Sequence, residues 1–160
     1  MRSAIATLTV HRGSDLTRGL RELTRVSRGP VVILTFDPPA LDDFWLVRYF
    51  PEVIAVEQRR YRRWRRSPLF LGPRFSVKKV PITIHCPDGF GEAYYGRPEA
   101  FLDPAVRRAQ SGFGLTDSAA VARGVRRLGK DLATGEWDRL FGHLRTQPEH
   151  VGALRLVVAD

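Results

Sequence analysis

The chain has 160 residues, of which 43% are apolar and 27% charged, and its formal net charge is +9. This composition can bury a core and excludes a wholly disordered protein, and no run of residues is long and apolar enough to predict a membrane span. The single cysteine, Cys86, excludes an internal disulfide framework and favours a reducing compartment. We therefore expect a cytoplasmic protein with one domain, residues 1–160.

The positive charge is concentrated in one run. Arg59–Arg66 reads RRYRRWRR, six arginines with Tyr61 and Trp64 between them. Such a run could hold phosphates and stack on bases. It could equally be a solvated helix end or loop in an arginine-rich chain. We favour the solvated surface, because arginine occurs throughout this chain. Charge alone indicates non-specific association and does not indicate a fold.

A strand, a helix and a second strand open the chain. Ala4–His11 is rich in β-forming residues, and Ser14 or Asp15 can cap a following helix. Val31–Phe36 is a continuous run of apolar and β-branched residues, which is typical of a strand buried on both faces of a parallel sheet. The helix between them has apolar residues at helical spacing: Leu16, Leu20, Leu23 and Val26. These elements predict a βαβ unit of a three-layer α/β fold.

Two further strands are predicted later in the chain. Phe75–Ile84 alternates like a strand, although Pro81 suggests an edge or the end of it. Ala153–Ala159 closes the chain as an apolar strand. Between them, residues 86–150 are mainly helical and predict a helical cap inserted before the last strand, with a helix that starts at Asp103-Pro104.

A family resemblance rests on residues His85 to Asp160. The stretches HCPDGFGEAYYGRPEAFLDPAVRRAQSGFG, LGKDLATGEWDRLFGHL and ALRLVVA resemble the C-terminal region of class I S-adenosylmethionine-dependent methyltransferases, type 11-like and of actinobacterial style. The N-terminal part of the chain, ATLTVH followed by DLTRGLRELTRVSRGPVVILTFD, is similar to the fourth strand, the following helix and the fifth strand of that family. The resemblance implies an α/β fold: an incomplete Rossmann-like methyltransferase sheet, from the fourth strand onward, with a helical insertion before the last strand.

The chain departs from the family at its front. The family's first strand ends in a Gly-x-Gly-x-Gly turn that lets the backbone approach the cofactor, and no such turn occurs here in the right place. Without the first strand, Ile5–Val10 would be an exposed sheet edge. Three situations remain open: a longer protein with a misassigned start, a degenerate remnant, or a homodimer through this edge.

The resemblance also places candidate site residues. Ligands of open α/β sheets lie beyond the carboxyl ends of the strands, so Thr9, Val10 and His11 are expected to bind the cofactor, S-adenosylmethionine. His11 is the candidate catalytic base, because imidazoles exchange protons near neutral pH. Asp37, at the end of the next strand, is expected in the substrate pocket. The alternatives are a histidine that only packs and an aspartate that only forms a turn.

Aromatic residues supply the remaining candidates for the substrate pocket. Tyr94 and Tyr95 open the helical cap, and Trp45 lies on the segment after Asp37. Aromatic rings there could surround a sulfonium cation or an apolar substrate, or they could form the core. A metal site is not expected, since His85 and Cys86 are too few ligands for zinc.

These observations predict an S-adenosylmethionine-dependent methyltransferase acting on a small molecule, without the glycine-rich cofactor loop of the family. The alternatives are a non-catalytic remnant and a nucleic-acid-binding protein that uses the run Arg59–Arg66. Without the resemblance, the residues themselves predict only a basic α/β domain with a helical cap.

Overall fold

Six strands form two sheets in the computed structural model, which describes residues 3–9, 15–61 and 74–159. In chain order they are β1 (Ala4–Thr7), β2 (Val31–Phe36), β3 (Phe75–Lys79), β4 (Ile82–Thr83), β5 (Glu149–His150) and β6 (Leu154–Ala159). The chain divides into two units, treated separately below. The sheet unit comprises Met1–Pro39, Gln58–Val80 and Ala153–Asp160, and the helical unit comprises Ala40–Glu57 and Pro81–Gly152.

The main sheet has the order β1-β2-β6-β3. Strands β1 and β2 are parallel, as the predicted βαβ unit requires, with Ala4 opposite Val31. Strand β6 runs antiparallel to both of its neighbours, so Leu154 at its start lies beside Phe36 at the end of β2. The protein is therefore a mixed α/β fold with a mixed sheet.

Helix α1 (Leu16–Val26) covers one face of this sheet. The Asp15 side chain caps the helix, since its carboxylate accepts the Arg18 N–H at 3.0 Å, which confirms the predicted start. Leu16 and Leu20 are the buried positions of the helix. They pack with one cluster of buried residues, Val31, Ile33, Tyr61, Val157 and Ala159. Burial of this apolar stripe, more than helix propensity, holds α1 in place.

The opposite face of the sheet is less covered. Ile5 of β1 is 73% exposed, although its register partner Val32 on β2 is half-buried. The other apolar residues of this face, Leu34, Leu156 and Val158, are also only partly buried. Strands β2 and β6 are thus apolar on both faces, and the buried core of the described sheet unit lies on the α1 face.

The remaining helices are mostly short. They are α2 (Pro51–Tyr61), α3 (Pro104–Arg108), α4 (Ser111–Gly114), α5 (Ser118–Ala133) and α6 (Glu136–Phe141). The predicted start at Asp103-Pro104 is confirmed, since the Asp103 carboxylate accepts the Ala105 N–H at 2.7 Å. Five segments form 3-10 helices: Pro38–Asp43, Trp45–Arg48, Gly91–Tyr94, Pro98–Leu102 and Gly142–Arg145. No helix in the described ranges is long and apolar enough to cross a membrane.

The predicted strand Phe75–Ile84 forms two strands instead of one. Strand β3 ends at Lys79, and β4 begins at Ile82 on the other side of Pro81 and pairs with β5 in a separate sheet. Proline has no N–H to donate to a ladder, which explains the break. The helical unit includes the predicted cap, residues 86–150, and also takes in residues 40–57.

Aromatic rings fill the core of the helical unit. The Trp45 ring meets Phe101 and Trp137 edge to face, with centroids 5.6 and 5.5 Å away. Phe50 packs against Phe113 at 5.1 Å. Trp137 and Phe101 have no exposed surface. Edge-to-face contacts of this kind add to the stability that the buried area supplies.

Candidate active site at the carboxyl ends of β1 and β2

The chain leaves β1 in an unusual backbone conformation. Leu8, the first residue after the strand, has φ of +49°, in the left-handed region that side chains other than glycine rarely adopt. Its N–H still donates to the Leu34 carbonyl of β2 at 2.9 Å, so the turn begins on the sheet. Thr9 follows as an exposed residue. Such strain persists where the surrounding structure imposes it, and it is common at functional sites.

The carboxyl end of β2 has a buried ion pair. Asp37 follows the strand, and its N–H donates to the Ala153 carbonyl at 2.8 Å. The Arg155 guanidinium lies 3.3 Å from the Asp37 carboxylate. The exposed fractions of these side chains are 9% for Arg155 and 22% for Asp37. Asp37 is therefore held in place by an ion pair as well as by its backbone hydrogen bond.

Thr35 adds a polar group to this end of the sheet. It lies directly opposite Arg155 in the β2–β6 ladder and has no exposed surface. Its hydroxyl makes no hydrogen bond with any other described residue. A buried hydroxyl without a partner is costly. Thr35, Asp37 and Arg155 therefore form a polar cluster, here called the rim cluster, at the end of β2 and the start of β6, two strands that are otherwise apolar.

Three residues predicted for the substrate pocket, Trp45, Tyr94 and Tyr95, lie in the helical unit. The Trp45 indole N–H donates to the Tyr95 carbonyl at 2.8 Å. Trp45 is 3% exposed and Tyr95 is not exposed, so both rings belong to the core. Tyr94 is half-buried, with its ring 5.6 Å from Phe101 and the Arg97 guanidinium 4.9 Å above it. Of the three, Tyr94 has the most accessible side chain.

Two tyrosines have perturbed acidities. Burial raises the pKa of the Tyr95 phenol, and the nearby Glu149 carboxylate adds to the effect. Burial, reinforced by the hydrogen bond that Tyr49 donates to Asp131, raises the pKa of Tyr49 to about 12. Both phenols therefore stay neutral at physiological pH and act as hydrogen-bond donors.

Several sequence candidates fall outside the described residues. Val10 and His11 do, and so does most of the arginine run, from Arg62 to Arg66. Tyr61, one of the two aromatic residues in that run, is 5% exposed, and its ring packs edge to face on Phe36 at 5.2 Å. That tyrosine is part of the core and is not exposed for stacking on a base.

Three titratable residues were missed by the sequence analysis. Arg155 could have been found, because it is the one charged residue within the apolar run ALRLVVA. Glu92 and His150 meet in the helical unit although they are far apart in the chain, and no spacing pattern predicts such a pair. Within the described ranges, no group of three or more His, Cys, Asp or Glu residues could hold a metal, and this includes the neighbourhood of His85 and Cys86.

At the end of β1, Thr9 is the described residue that could contact the cofactor that the resemblance implies. The turn at Leu8 leaves Thr9 exposed, so its hydroxyl and backbone are accessible at the carboxyl end of β1. The Asp37 carboxylate at the end of β2 is already paired with Arg155. The glycine-rich turn that would hold the other end of such a cofactor does not occur in the right place in this sequence.

Comparison with solved structures identifies a methyltransferase-like fold. The chain matches a crystal structure of a presumed methyltransferase from an antibiotic biosynthesis pathway of Anabaena variabilis ATCC 29413, with a TM-score of 0.89 and 27% sequence identity. The match covers 100% of this chain and 66% of that one. No protein-family model matches the chain. No curated protein matches it either.

Proposed function

We propose that the chain acts as an S-adenosylmethionine-dependent methyltransferase on a small molecule. The observation that carries the proposal is the structural likeness to a presumed methyltransferase over the full length of this chain. The rim of the sheet supports it, since a strained turn at Leu8 and a buried ion pair at Asp37 lie at the carboxyl ends of parallel strands, where ligands of such folds bind.

In this proposal the cofactor lies against the end of β1. Thr9, Val10 and His11 would contact it, and His11 is the first candidate for a base. S-adenosylmethionine supplies an activated methyl group bound to a cationic sulfur. The protein's task is to place a nucleophile in line with that methyl group and to exclude water.

The residues proposed for contact with the acceptor are Asp37 of the sheet unit and Trp45, Tyr94 and Tyr95 of the helical unit. Asp37 is the proposed polar contact, fixed by Arg155. Tyr94 is the proposed aromatic contact, because its ring is half-buried and lies against Phe101. Trp45 and Tyr95 are both buried in the core of the helical unit.

A thermal-shift titration with S-adenosylhomocysteine tests the proposal. Any ligand that binds the folded chain and not the unfolded chain raises the melting temperature in proportion to the logarithm of its concentration. We expect such a rise with S-adenosylhomocysteine and none with adenosine at equal concentration. An unchanged melting temperature with both would favour a non-catalytic remnant.

We also propose that β1 pairs with a second copy of the chain. Within the described residues, β1 has a strand partner on one side only, β2. Its sequence, AIAT, has no charge or proline to prevent pairing, and Ile5 is 73% exposed. Antiparallel pairing of two β1 strands would extend the sheet across both copies.

A further inference from the structure

The two units of the chain differ strongly in charge. The 70 residues of the sheet unit include 16 Lys and Arg but only four Asp and Glu, a formal net charge of +12. The 90 residues of the helical unit include 10 Lys and Arg and 13 Asp and Glu, a formal net charge of −3. The excess positive charge of the protein therefore belongs to the sheet unit, and an anionic partner would be attracted to that unit.

Helix α1 of the sheet unit presents a row of arginines to solvent. Arg18, Arg21 and Arg25 follow each other at spacings of three and four residues, which places them along one face of the helix. All three are exposed. Leu16 and Leu20, on the opposite face, pack against the sheet. The apolar face therefore anchors the helix, and the row of three arginines, here called the arginine stripe, points away from the core.

One carboxylate interrupts the arginine stripe. The Glu22 carboxylate lies 2.7 Å from the Arg25 guanidinium, and both side chains are more than half exposed. The hydrogen bond from Arg25 lowers the pKa of Glu22, so the carboxylate is charged at physiological pH. An exposed ion pair of this kind adds little stability. Glu22 therefore reduces the positive potential of the stripe, and its neutralisation would raise that potential.

Further cations lie on the same side of the sheet unit. Lys79 of β3 is two residues from Val77, whose partner on β6, Val157, packs in the cluster that α1 covers. Side chains two residues apart point to the same face of a sheet, so Lys79 points to the face that carries α1. Lys79 is exposed, and so is Arg28, just beyond the end of α1. The positive charge of the stripe thus continues around it.

We propose that the arginine stripe binds duplex nucleic acid through its phosphates, without reading the base sequence. Arginine forks hold phosphate oxygens in pairs, and the release of counterions from the duplex drives such binding. The stripe has no aromatic residue on which an unpaired base could stack, which favours a duplex over a single strand. The apolar face of α1 is buried against the sheet, so the helix cannot insert that face into a lipid surface. This inference goes beyond the proposed function and is tested without a methyl donor.

Fluorescence anisotropy with a short labelled duplex DNA tests the proposal. The wild type should bind two unrelated sequences equally, and the logarithm of its association constant should fall linearly with the logarithm of the salt concentration. Each lost phosphate contact reduces the steepness of that line by about 0.9. The double variant Arg18→Gln, Arg21→Gln should therefore show a slope shallower by about 2 and an affinity at least about tenfold weaker at about 0.1 M salt.

A matched double variant removes the same charge from the other unit. Arg126 and Lys130 are exposed on α5 of the helical unit, four residues apart. The double variant Arg126→Gln, Lys130→Gln should bind the duplex like the wild type. Glutamine is a good helix former, so both double variants should keep the wild-type helix content by circular dichroism.

Neutralising the carboxylate within the stripe should have the opposite effect. Glu22→Gln should tighten binding about fivefold, because Arg25 is then available to a phosphate. Glu52→Gln is the matched control, since Glu52 is an exposed carboxylate paired with Arg123 at 3.0 Å in the helical unit. It should leave the affinity unchanged. If the double variant of the stripe loses its fold, this second comparison decides.

Absence of salt-dependent binding by the wild type, or an equal loss of affinity in the two double variants, would overturn the inference. Equal tightening by Glu22→Gln and Glu52→Gln would also overturn it, since the effect would then belong to net charge and not to the stripe. Sedimentation with vesicles of phosphatidylcholine and phosphatidylserine covers the other anionic surface. A wild type that sediments with these vesicles and does not bind the duplex would replace nucleic acid by a membrane surface as the partner.

Discussion

The Arg155 guanidinium lies 3.3 Å from the Asp37 carboxylate, and both side chains are mostly removed from solvent. This ion pair joins the start of β6 to the end of β2. Its arginine, Arg155, lies directly opposite the buried Thr35 in the β2–β6 ladder. Buried ion pairs add little net stability compared with apolar residues, but breaking one leaves a charge without compensation. The rim cluster therefore fixes the geometry at the end of β2 at some energetic cost.

Single and double substitutions test the coupling of this pair. Arg155→Met should lower the free energy of unfolding by about 2–3 kcal/mol, because the Asp37 carboxylate loses its cation. Asp37→Asn should cost at least as much, since it removes the negative charge beside the more deeply buried Arg155 guanidinium. The double variant should lose at least about 1 kcal/mol less than the sum of the single losses, measured by urea denaturation. Strict additivity would show that the two side chains do not interact in solution.

Two glycines of α5 should respond in opposite directions to alanine. A Cβ on Gly124 would overlap the Phe50 ring and lie 2.5 Å from the Tyr49 carbonyl oxygen, so Gly124→Ala should destabilise the protein by about 1–3 kcal/mol. At Gly129 the nearest atom is the Leu102 Cδ2 at 3.8 Å. Gly129→Ala should therefore stabilise by about 0.5–1 kcal/mol through helix propensity alone. Equal effects in thermal denaturation would contradict this packing of α5.

The sequence predicted local elements better than it predicted contacts. The cap at Asp15, the helix start at Asp103-Pro104 and the strand Val31–Phe36 depend on neighbouring residues, and all three are confirmed. Strand direction depends on partners far along the chain, so the antiparallel course of β6 could not be read from its apolar pattern.

In the candidate site, too, features that depend on neighbouring residues could be predicted and features that depend on distant residues could not. Residues at strand ends, such as Thr9 and Asp37, could be chosen from the sequence because the end of a strand is a local feature. The aromatic character of Trp45 and Tyr95 fits a pocket and a core equally well, and only tertiary packing reveals that both are buried. The pair of Glu92 and His150 exists only through the fold, so no periodicity could have predicted it.

Tyr49 should make stability depend on pH in the alkaline range. Burial and the Asp131 carboxylate raise the pKa of its phenol to about 12 in the folded protein, against an ordinary value near 10. The unfolded chain then loses the phenolic proton first, so stabilisation is complete below about pH 10 and decreases as pH rises toward 12. The stability advantage of the wild type over Tyr49→Phe should shrink by about 1–2 kcal/mol across this window. A constant difference in urea denaturation from pH 9 to 11.5 would contradict the raised pKa.

The proposed pairing of β1 strands predicts a dimer that a charge would disrupt. Light scattering should give the mass of two chains for the wild type and of one chain for Ile5→Lys, because a lysine on an edge strand opposes pairing. Val26→Lys is the matched control, since Val26 is 57% exposed and belongs to helix α1 and not to the edge strand. It should remain dimeric. A wild-type monomer at all concentrations would refute the pairing.

Calorimetric titration of the 160-residue chain with S-adenosylmethionine tests whether this edge of the sheet binds the cofactor. We expect saturable one-to-one binding, weakened about tenfold in Thr9→Val because a hydrogen bond at the end of β1 is lost. Thr7→Val changes an exposed threonine within β1 itself and should bind like the wild type. Absence of saturable binding, or equal affinity in Thr9→Val and the wild type, would contradict a cofactor site at this edge of the sheet.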